Sequence, residues 1–194
     1  MSQVITNLAT KNMSQSDQGQ EIVSSVGMIV ALVSFAMLFA TLMMGFAMFR
    51  FTASVWPPAG MTKPSLFLPT LSTICIFLSS ISYVWFEKNI ANKKGLKLTI
   101  ALGLGFMIMQ SLLWNQLKSQ GIFVSSGIFP SIIYAFTWIH AAHIVAALGL
   151  LIWLLFFALN DLNTKALLRV SSVGKFWHFL GIVWLIMFLT IFVL

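Results

Sequence analysis

Residues 129–159 read FPSIIYAFTWIHAAHIVAALGLLIWLLFFAL, thirty-one positions without one Asp, Glu, Lys or Arg. A helix crosses the hydrocarbon core of a bilayer with about 20 apolar residues, and about 17–25 is the usual range. This run therefore spans a membrane with length left over for tilt or protrusion into water. Four further stretches meet the same criterion. They cover about 26–51, closing on Arg50; about 66–86, entered through Lys63, Pro64 and Pro69; about 96–117; and about 176–194. No period-two alternation appears, which argues against a membrane barrel. The expected fold is all-α: a polytopic membrane bundle of five transmembrane helices over 26–194, preceded by a polar cytoplasmic segment over 1–25.

Composition agrees with that reading. Of 194 residues, 59% are hydrophobic and 8% charged, and the mean hydropathy is +0.97. A soluble domain carries roughly 25% charged residues, so a water-soluble globule is excluded. The net charge of +7 comes from eleven Lys and Arg against Asp17, Glu21, Glu87 and Asp161. These bases sit between apolar runs and lack the basic, aromatic-interleaved face of a nucleic-acid binder. Cys75 is the only cysteine, so no intrachain disulfide or CxxC site exists. The first twenty-five residues have no basic segment leading into an apolar one, so a cleaved leader is not expected.

Short connections make sequential helices antiparallel neighbours. One side of the membrane then holds Lys11, Lys88, Lys93, Lys94, Lys97, Lys165, Arg169 and Lys175; the other holds Arg50, Lys63 and Lys118. Basic loops favour the cytoplasm, which implies an N-in, C-out orientation.

Small residues allow lipid-embedded helices to approach closely, and small polar ones add hydrogen bonds. Ser72, Cys75, Ser79 and Ser82 form one stripe on the second span, and Ala135, Ala142, Ala146 and Gly149 form another on the fourth. Both are read as packing seams. Gly103, Gln110 and Trp114 share a face of the third span, which points the Gln110 amide into protein.

Imidazoles in a bilayer need partners and can bind metal or pass protons. His140 and His143 lie one turn apart in the fourth span, and His178 is expected at the start of the fifth. That placement separates them in depth by about half the bilayer. No carboxylate stands near to orient a metal ligand, so interhelical hydrogen bonding is expected of these histidines rather than haem or metal ligation. The spans also lack the buried Asp and Glu of ion-coupled transporters, apart from Glu87 at the lip of the second. No inverted repeat is visible either. Taken alone, the chain has no catalytic, cofactor-binding or metal-binding residues, and reads as a subunit.

Five strings then resemble the haem–copper oxidase subunit III family. Trp56-Pro57-Pro58-Ala59-Gly60 follows the first span, and Thr70-Leu71-Ser72 with Ser79-Ser80-Ile81-Ser82 lies in the second. Leu98-Thr99, Leu102-Gly103, Phe106 and Gln110 mark the third span. The fourth carries His140-Ala141-Ala142-His143-Ile144-Val145. Phe176-Trp177-His178-Phe179-Leu180-Gly181-Ile182-Val183-Trp184-Leu185 marks the fifth. Their order and spacing match the family across roughly residues 26–194. The length and five spans resemble its short bacterial form.

The resemblance implies a multi-pass protein of the bacterial plasma (inner) membrane, docked on oxidase subunit I in a complex that reduces dioxygen to water and moves protons. Subunit II and a small subunit IV are further candidate partners. It implies haem and copper in the partner subunits, none in this chain, and bound phospholipid. Trp56, Pro57 and Pro58 match the family's outer-side turn; His140, His143, Trp177 and His178 match positions that pack the bundle, with Gln110 and Trp184 in the same motifs. Phe35, Leu113 and Gly181 stand where the family carries acids, which places a proton-relay role in doubt. Two alternatives stay open: a subunit III-like partner of a nitric oxide reductase, and an autonomous small channel or transporter.

Overall fold

The computed structural model describes residues 15–52, 66–158 and 164–193. Every element among them is helical. Five helices are long and apolar enough to cross a membrane, as the hydropathy pattern predicts: α1 (Gln15–Thr52), α2 (Phe67–Lys88), α3 (Lys94–Ser119), α4 (Ile128–Trp153) and α5 (Thr164–Phe188). One wider π-type turn extends α4 over Leu154–Ala158, and another extends α5 over Leu189–Val193.

The helix ends follow local chemistry. Pro69 and Pro130 each occupy the first turn of their helix, where a missing N–H leaves no intrahelical bond unmade. Gly121, at φ +74°, terminates α3. Its N–H donates to the Lys118 carbonyl and that of Ile122 to the Leu117 carbonyl, each at 3.0 Å. This closing motif needs a left-handed residue, and glycine takes that conformation without strain.

Helix α1 begins at Gln15, ahead of a membrane-spanning stretch that starts at Ser25, beside the expected Val26. One span boundary differs from expectation. Helix α5 begins at Thr164 rather than near Phe176. Hydropathy loses the start of α5 because Arg169 and Lys175 interrupt the apolar run. In the structure both are exposed, while Ala166, Val170, Val173 and Gly174 on the other face are buried. The Arg169 guanidinium lies 5.4 Å from the centre of the Trp153 ring, a cation–π arrangement that accommodates the charge beside α4.

Side-chain pairs establish the topology. Ser79 meets Thr99 and Ser82 meets Gly95, so α2 and α3 run antiparallel. Phe106 meets His140 and Trp114 meets Thr137, which does the same for α3 and α4. Tyr83 meets Val170 and Trp184 meets Thr73, aligning α2 against α5. Helix α1 packs its backbone nearest α5 and reaches α4 through the ring pairs Phe35–His143 and Phe46–Phe136. It is the least embedded helix: among its described residues only Phe39 and Phe46 are buried. The α2–α3 loop and the first half of α5 thus share one end of the bundle, with Lys88, Lys93, Lys94, Lys97, Arg169 and Lys175.

Candidate functional site

The densest part of the bundle lies where α2, α3 and α5 meet. Close approach of α2 and α3 depends on Gly95, where an added Cβ would stand 2.9 Å from Phe86 Cβ and 3.0 Å from the Ser82 carbonyl. With that space kept clear, Ser82 Oγ donates to the Gly95 carbonyl at 2.9 Å and Ser79 Oγ to the Thr99 carbonyl at 3.1 Å. Ser72, Ser79 and Ser82 are buried and Cys75 is half-buried, so the α2 stripe is the seam its spacing predicts.

Helix α5 enters the same seam with two indoles. Trp177 Nε1 donates to Ser79 Oγ at 3.2 Å, and Trp184 Nε1 to Thr73 Oγ1 at 3.0 Å. A buried indole N–H needs an acceptor, and α2 supplies a hydroxyl for each. The far edge of the Trp177 ring fits against Gly103, whose absent Cβ would lie 2.8 Å from it. One turn before Trp177, Gly174 performs the same service for Tyr83 and Glu87, and Tyr83 Oη donates to the Val170 carbonyl at 2.7 Å.

His140 lies near the midpoint of α4 and is 1% exposed. Its ring stacks on Trp184 (centroids 5.5 Å apart, planes 30°) and meets Phe106 at 6.0 Å and Phe39 at 6.1 Å, both edge-on. His143, half-buried, uses Nδ1 toward the Ile139 carbonyl of its own helix at 2.7 Å. His178 packs edge-on against Tyr83. None of these imidazoles makes a direct hydrogen bond to a side chain or carbonyl of another helix among the described residues. The neighbouring helices present aromatic rings to them instead. His178 also sits well inside α5, not at its start, because that helix begins so much earlier.

The α4 stripe corrects a second expectation. Ala135, Ala142, Ala146 and Gly149 are all exposed. The offset face carrying Ile133, Phe136, Thr137, His140, Ile144 and Leu151 is buried instead. Bulky partners on α1, α3 and α5, namely Phe39, Phe106 and Trp184, fill that inner face. The small residues turn outward. On α3, Gly103 and Gln110 are buried and Trp114 is half-buried, on one face as expected. Trp56, Pro57 and Pro58 lie outside the described residues.

Among the described residues the buried polar groups are Ser72, Ser79, Ser82, Thr99, Gln110, Thr137 and His140, none of them a carboxylate or an amine. No three His, Cys, Asp or Glu side chains come together there as a metal site would require. Phe35 is set against His143, and Leu113 is buried in the core. Sequence reading missed Tyr83, Gly174 and the hydroxyl acceptors Thr73 and Thr137. Gly174, Trp177, Gly181 and Trp184 recur at spacings of three, four and three, a stripe on α5 that could have flagged the first glycine.

A family model for cytochrome c oxidase subunit III matches residues 8–194 of this chain. The chain belongs to that family. Among curated relatives, the cytochrome c oxidase subunit 3 of Pylaiella littoralis is 29% identical over 184 residues, covering 86% of this chain and 65% of the relative. That of Thermostichus vulcanus is 26% identical, covering 87% and 86%. The rat protein is 28% identical over 145 residues, covering 71% and 54%. The chain thus spans about half to two thirds of the longer relatives and most of the Thermostichus vulcanus one. Subunit III membership and five spanning helices make it a multi-pass membrane protein.

Proposed function

We propose that the chain is a non-catalytic membrane subunit of a respiratory haem–copper terminal oxidase, which stabilises catalytic subunit I and binds structural lipid. The observation that carries this reading is family membership over nearly the whole chain. An interior locked by indole–hydroxyl pairs and glycine contacts supports a packing role. Haem and copper belong to the partner subunits, with subunit I as the main contact and subunits II and IV as further neighbours. Phe35, Leu113 and Gly181 leave it without the acids of a proton relay, so packing and lipid contact are its contribution. The clustering of Lys88, Lys93, Lys94, Lys97, Arg169 and Lys175 at one end supports N-in, C-out insertion in a bacterial inner membrane.

The test is purification of the native complex from membranes through an affinity tag on this chain. Haem absorbance and oxygen consumption in the purified material are expected. Recovery of the chain in a stable assembly without haem would overturn the proposal.

A further inference from the structure

His140 and Gln110 are each 1% exposed, and all four of their side-chain nitrogen and oxygen atoms lack a hydrogen-bond partner. Buried polar atoms in folded proteins are nearly always bonded to protein or to ordered water. Inside a bundle surrounded by lipid, no bulk solvent can serve them.

The helix pairing places these two side chains together. On α3, Phe106, Gln110 and Trp114 follow one another at four-residue intervals and share a face. Phe106 lies 6.0 Å from His140, ring to ring, and Trp114 Nε1 donates to Thr137 Oγ1 at 3.0 Å. Thr137 is one turn before His140 on α4. Gln110 is therefore bracketed at the level between Thr137 and His140, facing the interface that both occupy.

The hydroxyl protons of the protein groups around them are already committed. The Thr137 hydroxyl donates to the Ile133 carbonyl at 2.9 Å and accepts from Trp114. The Thr73 hydroxyl donates to the Pro69 carbonyl and accepts from Trp184. His143 is engaged with Ile139. A neutral imidazole offers one donor and one acceptor, and a primary amide offers two donors and an acceptor. The missing partner must both donate and accept, and it must be small and uncharged, because no charged residue is among the buried polar ones described. Water has those properties and needs two to four polar partners.

We propose that His140 and Gln110 share a short water bridge sealed within the α3–α4 interface, which makes this point of the bundle an internal hydration site rather than dry packing. The site is independent of the oxidase reading.

The direct test is a map of the membrane complex containing this chain, at a resolution that shows ordered water. Density within ~3.2 Å of both side chains, alone or as a linked pair of waters, is expected. A direct Gln110–His140 hydrogen bond, or no density between them, would overturn the proposal. Thermal unfolding of the complex with Gln110→Leu, His140→Phe and the double substitution gives a second reading. A bridge makes each single change lower the midpoint, because it strands the other side chain, and makes the double change cost less than the sum of the two. Midpoints that rise with each single change and add in the double would mean two unlinked polar groups, and the bridge would be rejected.

Discussion

The Phe35 ring and the His143 imidazole meet nearly perpendicular, with centroids 4.5 Å apart and planes at 81°. Phe35 also contacts Phe176 at 5.7 Å, so one side chain joins α1 to both α4 and α5. Helix α1 is otherwise poorly embedded. Phe35→Ala is expected to destabilise the bundle by about 2 kcal/mol, roughly half the cost of truncating a fully buried phenylalanine. Protease cleavage within α1 of the detergent-solubilised protein should rise accordingly. Unchanged protection would show that α1 is held elsewhere.

Two glycines predict opposite outcomes for the same substitution. At Gly174 a Cβ would stand 2.5 Å from Tyr83 Cε1 and 2.7 Å from Glu87 Oε1, whereas at Gly105 nothing lies within 4 Å. Gly174→Ala forces α2 and α5 apart and strains the Tyr83–Val170 bond, at a cost of about 1–3 kcal/mol. Gly105→Ala lies in a helix interior with open space, and should stabilise by up to about 1 kcal/mol through helix propensity. Unfolding midpoints in detergent, measured side by side, should move in opposite directions.

Trp184 and Thr73 hold the part of the α2–α5 seam away from the lysine-rich end through one N–H···O bond of 3.0 Å. Trp184→Phe and Thr73→Val each remove it, and each is expected to cost about 1–3 kcal/mol because a buried polar group is left unpaired or space is left unfilled. The double variant should cost less than the sum, since the bond can be lost only once. Additive losses would mean that the two residues contribute independently.

The outward stripe of α4 gives the mildest forecast. Ala146 is exposed, so Ala146→Leu should change the stability of the isolated chain by no more than about 0.5 kcal/mol. A large loss would place the residue inside the bundle after all.

Much of this architecture was legible in the residues. The five spans followed from apolar length, and the Ser72–Ser82 stripe from helical spacing plus the need of small hydroxyls for nearby acceptors. The start of α5 was not legible, because window hydropathy averages Arg169 and Lys175 into a helix that keeps them on its exposed side. The α4 stripe pointed the wrong way because small residues suit an inner or an outer surface equally well. The decision came from Phe39, Phe106 and Trp184 on other helices, and spacing within α4 carries no record of them. The histidines followed the same logic. Their residue type announced a need for partners, but only the pairing of α1, α3 and α5 with α4 determined that rings would surround them.

Ser79 donates to the Thr99 carbonyl and accepts from Trp177, while Thr99 Oγ1 approaches the Ser79 carbonyl at 3.4 Å. A single hydroxyl therefore couples three rods. Sliding α2 along its axis would rupture bonds to both others at once, and sliding α3 or α5 would break its bond to α2, so α2, α3 and α5 resist shear as one block. A push applied at the lysine-rich end would arrive at the opposite end nearly undiminished, with α1 left as the compliant strut.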